Sequence, residues 1–174
     1  MQPTTQAPVK PTGCCPLFDP EPWDGKEVSW LNKRFVHDHV KCLFHVPLNM
    51  GRKLEKDMAL IEAAHAKGES NLMLSDDESP WGTDLFIEVS DAVPGATMDT
   101  LSGTFLTKVF EGPFRDAGTW ARDMTGYVAA KGRVLEKLYF GYTTCPKCAK
   151  AYGKNYVVVF AKVAEAQPGT HRLA

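Results

Sequence analysis

The chain has 174 residues, twenty basic against twenty-one acidic side chains for a net charge near −1, and 44% hydrophobic and 24% charged residues. That is enough for one compact domain or two small units sharing a core, and with no long block of like charge it shows no general nucleic-acid or membrane footprint. No apolar run reaches the ~18 residues that span a bilayer, and the start lacks the basic-then-apolar order of a secretory signal, so a cytoplasmic location is expected.

Residues 1–13 carry three prolines and almost no large apolar side chain, so they cannot offset their own ordering entropy and read as a mobile arm. Residues 14–34 differ: Cys14, Cys15, Leu17, Phe18, Trp23, Val28 and Trp30 interrupt a turn-prone stretch, predicting an irregular strap over a core surface. A strand is expected over 35–47, rich in β-branched and aromatic residues and ended by Pro47. A helix follows over 50–67, with Met50, Leu54, Met58, Ile61 and His65 on one face and Gly68 closing it. Residues 72–74 suggest a short strand, 75–82 an acidic loop, and 84–93 a strand. The stretch from Gly103 to Met124 reads as strand (103–111), a Gly112-Pro113 stop, and helix (114–131), with Glu111 at the joint. Strands over 137–144 and 155–163 flank the connection CPKCAKAYGK, and residues 164–174 form a tail.

A weak internal repeat runs through this order. Pro47 and Pro113 lie 66 residues apart, as do Lys56-Asp57-Met58 and Arg122-Asp123-Met124, while Ala66-Lys67-Gly68 and Ala130-Lys131-Gly132 lie 64 apart. The spacing favours a duplicated strand-helix-strand-strand unit, about 35–93 and 101–163 within one domain over 35–163. The fold expected is α+β, an antiparallel sheet with two helices and a ligand cleft between two halves.

Glu111 and Glu88 each sit in an apolar strand context. Such a carboxylate either faces solvent or borders a cavity, where desolvation raises its pKa and lets it hold a cation or shuttle a proton. Trp81, Phe86, Phe105, Phe114, Trp120, Tyr139 and Tyr142 supply aromatic surface for such a cavity, and Tyr156 adds to it. An aromatic wall with a carboxylate suits flat, hydrophobic ligands, cationic ones included. In a hydrolase on the same frame, Glu111 or Glu88 would activate water and a tyrosine, Tyr142, would donate a proton. His37, His39 and His45 share one strand parity; a one-sided polar face explains them as well as a metal or acid–base surface does.

Five cysteines, an odd number, do not look like a secreted disulfide framework. Cys145-Pro146-Lys147-Cys148 has the spacing of a zinc knuckle, and Cys14-Cys15 could complete a tetrahedral structural zinc site. A redox dithiol and unassigned structural thiols remain open alternatives at this point. A P-loop, a GxSxG elbow and a dinucleotide fingerprint are all lacking.

The order of elements and the phrase LSGTFLTKVFEGPFRDAGTWARDM, with Gly103, Gly112, Pro113 and Phe114 at the step into the second helix, resemble the GyrI-like small-molecule-binding superfamily, which includes effector domains of multidrug-responsive regulators. The resemblance implies two strand-helix-strand-strand units around a ligand cleft. It departs where relatives that bind cationic drugs carry a glutamate just before a tyrosine: here Leu138 precedes Tyr139, and Glu136 lies two positions earlier. The expected function is a stand-alone domain binding a hydrophobic small molecule, with a small-molecule hydrolase and a zinc-stabilised interaction module as alternatives.

Overall fold

The longest strand, β1 (Glu27–Leu43), organises the molecule, here a computed structural model that describes residues 12, 13, 15–44 and 46–165. Most of the expected arm and tail, with Cys14 and His45, lies outside the described residues. β1 begins well before the predicted strand, because the apolar alternation of Val28 and Trp30 starts as soon as the turn at residues 21–25 ends. Its register against β5 (Met98–Glu111) shifts between Trp30 and Lys33. Asn32 takes a positive φ of 51° there and donates its N–H to Ser102 Oγ at 2.8 Å. This is a bulge at a residue type that tolerates the left-handed region, and it bends the strand. β1 therefore serves two neighbours, β5 along 27–36 and β4 (Gly82–Glu88) along 35–41.

That double pairing closes the sheet. The strand order is β2 (Val46–Pro47), β1, β4, β3 (Met73–Ser79), β6 (Leu135–Tyr142), β7 (Tyr156–Val163), β5, and β5 returns to β1. All pairings are antiparallel, so six strands form a closed barrel with β2 outside it. An α+β fold was expected and is found, but as a barrel rather than an open cleft. The predicted loop 75–82 is mostly strand β3; its polar residues alternate on a ladder whose neighbours already supply the apolar contacts.

Inside the barrel Phe35, Leu74, Phe86, Phe105, Tyr139, Val158 and Phe160 pack together. The opposite strand parity faces the helices. α1 (Met50–Ala63) presses Ile61 onto Val36, Val40, Leu85 and Ile87, and α2 (Ala117–Ala130), entered through a 3-10 turn at Phe114–Asp116, presses Trp120, Met124 and Val128 onto Leu106, Val157, Val159 and Ala161. Each buried Met, Val or Ile in these layers stabilises by about 1.5–3 kcal/mol. A third helix, α3 (Pro146–Tyr152), replaces the predicted connection; Pro146 opens it at a position that needs no N–H, and Gly153 ends it at φ 68°.

One buried acid opposes this packing. Asp57 on α1 is 2% exposed and lies against Asp38 of β1, whose own partner is Lys53 Nζ at 2.5 Å. Burial first, then the Asp38 charge, pushes the Asp57 pKa above 3.8. The folded state therefore holds this proton more tightly than the unfolded chain, so stability falls as pH rises from 3.8 through the raised value, and the penalty persists at neutrality. Asp57→Asn keeps the shape and can donate its amide to Asp38. A higher Tm than wild type at pH 7, shrinking as the scan moves toward pH 3.8, is the expected calorimetric result.

Candidate functional site

At the end of the barrel where β5 has only begun, the inward parity of three strands changes from rings to charges. His39 pairs across the ladder with Asp84, and Asp84 pairs with Asp76. Asp84 Oδ1 lies 2.9 Å from His39 Nδ1 and 3.3 Å from His37 Nε2, so one carboxylate serves two imidazoles. The His37 ring stacks on Phe86 at 4.9 Å and 16°, which fixes its plane. Lys137 Nζ reaches Asp76 at 2.5 Å and lies 5.6 Å from the Tyr139 centroid.

Gly82 is what admits His39. A Cβ at this position would stand 2.5 Å from both Cε1 and Nε2 of the imidazole, so any side chain there would displace the ring. Burial pushes the Asp84 carboxyl up, but hydrogen bonds from His39 and His37 more than offset it and leave the pKa below 3.8. An ionised carboxylate holding Nδ1–H fixes the tautomer that leaves Nε2 as a proton acceptor. The His39 side chain is 57% exposed, so water can reach it. The arrangement is a His–Asp pair beside an aromatic ring, of a kind that can take a proton from water.

The predicted carboxylates stand elsewhere. Glu88 is buried but fully engaged: its Oε1 takes Lys33 Nζ at 2.6 Å, and its Oε2 accepts from the N–H groups of Ser70 (3.2 Å) and Leu72 (3.1 Å). The cation expected from a ligand is thus supplied by the chain itself. Glu111 is exposed at the end of β5, where it lines an open groove of about 320 Å³ with Pro113, Ala149, Lys154 and Asn155. Tyr142 donates its hydroxyl to Asp77 Oδ2 at 2.8 Å, and burial followed by the Asp77 charge raises its pKa, which makes it a poor proton donor to anything else. Glu88 and Tyr142 have separate partners, and Glu111 lines a different surface.

The predicted aromatic wall divides likewise. Phe86, Phe105 and Tyr139 are inside the barrel, whereas Trp120, on the buried face of α2, packs against Phe110 in the outer layer. Phe114 meets Tyr142 at 5.7 Å, and Trp81 is 60% exposed on the β3–β4 turn beside Phe44. Closure of the sheet accounts for the division: its inner and outer faces cannot share a cavity.

The cysteines do come together. The sulfurs of Cys15, Cys145 and Cys148 all lie within 4.8 Å of one another, near the ~3.8 Å expected around one tetrahedral ion with M–S of about 2.3 Å. The Cys145 N–H points to Cys15 Sγ at 3.4 Å, and Thr12 Oγ1 lies 3.0 Å from Cys148 Sγ. Donation from Thr12, helped by Cys145 and Cys15, outweighs burial and holds the Cys148 thiol at about 6, so it is a thiolate at neutral pH. Three soft donors with a thiolate among them can bind a metal ion. Cys14, the other expected ligand, is not among the described residues.

Shared parity singled out His37 and His39 in the sequence, but not Asp84 or Asp76, which are brought to them only by cross-strand register. No curated protein shows a match to the sequence. Residues 5–163 match the model of a family described as bacterial hydrolase, which spans the strap and the whole barrel, and the chain belongs to that family.

Proposed function

We propose that the protein is a small-molecule hydrolase whose general base is His39, held by Asp84. The observation that carries this reading is the 2.9 Å contact from His39 Nδ1 to a carboxylate, on a side chain that is 57% exposed at the barrel mouth. His39 Nε2 takes a proton from water, the resulting hydroxide attacks the electrophilic carbon of an ester-like substrate, and the proton returns to the leaving oxygen as the C–O bond breaks. Lys137, ion-paired with Asp76, which faces Asp84 across the ladder, is the cation on this face that would offset the developing negative charge. The test is a panel of chromogenic esters and related electrophiles: turnover that disappears in His39→Ala supports the reading. Turnover of the whole panel that survives in His39→Ala overturns the role of His39, and saturable binding without turnover favours a binding domain instead.

The binding reading keeps one observation of its own, the open groove at Glu111, where a carboxylate sits beside Pro113 and Ala149 as an apolar, cationic ligand would need. The GyrI-like resemblance and the duplicated unit belong with it. In support, exchanging β1, β4 and β3 for β5, β7 and β6 maps the strand order onto itself, with α1 and α2 each following the first strand of its set.

The cysteine cluster is, in our reading, a structural zinc site. Purified protein is expected to carry about one zinc per chain by elemental analysis, and Cys148→Ser to carry far less; a metal-free wild type purified without chelator, and unable to take up added zinc, would sink it.

A further inference from the structure

The cysteine cluster joins Cys15 at the head of the strap to Cys145 at the N-cap of α3 and Cys148 within it, two segments that also meet where Thr12 N–H donates to Tyr152 OH at 3.0 Å. The strap, residues 15–25, runs on from the start of β1 along the β5 backbone. Thr107 N–H donates to Lys26 O at 2.9 Å, Thr107 Oγ1 donates to Trp23 O at 2.5 Å, and Val109 N–H donates to Asp24 Oδ1 at 3.0 Å. Its rings turn toward the barrel interior, Trp23 on Phe160 at 5.5 Å and Phe18 on Tyr156 at 5.8 Å. The strap therefore covers the stretch of β5 that β1 leaves unpaired and fills the interior beside it.

Its own scaffolding is slight. Pro16, Pro20 and Pro22 have no N–H to give, and its internal backbone hydrogen bonds are those of Trp23 and Asp24 to Pro20 O. A segment with two rings and a handful of hydrogen bonds lies at the low end of local opening energies unless its far end is tied down. Cys15 is that end. Its carbonyl accepts from Tyr152 OH, and its sulfur faces the two thiols of α3.

We propose that a soft divalent ion at Cys15, Cys145 and Cys148 latches the strap, so that metal occupancy decides whether the edge of β5 and the aromatic interior behind Trp23 are covered or open. This rests on the zinc reading of the cluster. With the metal bound, strap opening breaks a metal–thiolate bond as well as two ring contacts; without it, only the ring contacts and hydrogen bonds remain. Because linkage is reciprocal, the docking of Trp23 must strengthen metal binding by the same factor.

The test is amide hydrogen exchange on the full chain, zinc-loaded and after chelation, read at Val109, whose N–H is covered by the strap residue Asp24. Asp24→Ala calibrates the probe, since it removes the acceptor in either state. The expected result is exchange at Val109 about tenfold or more faster after chelation, with the β6–β7 amides, such as Phe140 and Val159, unchanged. Trp23→Ala is expected to raise the zinc dissociation constant although it touches no thiol. If zinc binds stoichiometrically but neither Val109 exchange nor the effect of Trp23→Ala appears, the latch is overturned and the zinc site stands. If the loaded protein holds no metal, the zinc reading itself fails and the latch with it.

Discussion

Asp84→Asn is expected to lower kcat by about 10²- to 10⁴-fold, roughly 3–5 kcal/mol of barrel-mouth transition-state stabilisation, while leaving the protein folded. The amide can still meet His39 Nδ1, but it cannot stabilise the imidazolium that forms when Nε2 takes a proton, and its NH₂ end favours the wrong tautomer. Stability is a useful contrast: the amide keeps the shape and gives up only the charge that the two imidazoles hydrogen-bond, so a modest fall in Tm accompanies the loss of kcat. If Asp84 merely braced the strands, the substitution would lower Tm and leave kcat alone. The pH dependence separates the roles further. Its pKa is lowered, so the stability Asp84 contributes is complete above 3.8 and is lost only as pH falls through the lower folded value. A fall in activity at pH well above this is therefore not the loss of the Asp84 charge.

Phe160→Ala is expected to cost about 3–5 kcal/mol in urea unfolding, a large share of the roughly 5–15 kcal/mol that holds a domain of this kind together. Phe160 is fully buried and touches rings from two elements, Trp23 of the strap at 5.5 Å and Trp30 of β1 at 5.5 Å. Neither neighbour can collapse into the space, since Trp30 is fixed in the ladder and Trp23 is held by its carbonyl. Phe44→Ala is the control: at 69% exposure it should change the midpoint little. Equal effects would mean that the barrel interior is not the main store of stability.

Strand positions were legible where apolar residues alternate, as in β5, or form a short β-branched run, as in β7, because both signals are local. Of β3 only the start was legible, at residues 72–74: SDDES has no apolar member, and only pairing with β4 and β6 gives it a ladder. α3 was read as a connection because seven residues carry too little periodicity, although the proline at its start and glycine after its end were visible signs. The approach of Cys15 to Cys145 and Cys148 was legible from knuckle spacing. The pairing of His39 with Asp84 was not, since it depends on the register between residues forty-five positions apart. Glu88 was recognised as an acid in an apolar setting, but Lys33 lies in what read as irregular strap, so its counter-charge went unseen.

Closure of the barrel through β1 and β5 has a consequence for how the chain reaches this state. β1 finds β4 within its own half, and β3 can join them, so three strands and α1 can assemble as soon as residue 88 is made. Their inner face, with Phe35, Leu74 and Phe86, then waits for partners that arrive only with β5, β6 and β7. Seams that join residues as distant as Val28 and Phe105 or Leu74 and Gly141 impose a high contact order and slow folding. During synthesis the half-barrel offers an open edge and a row of rings to any similar chain nearby, so the vulnerable species is the nascent one, and misassembly should track translation pauses in the second half.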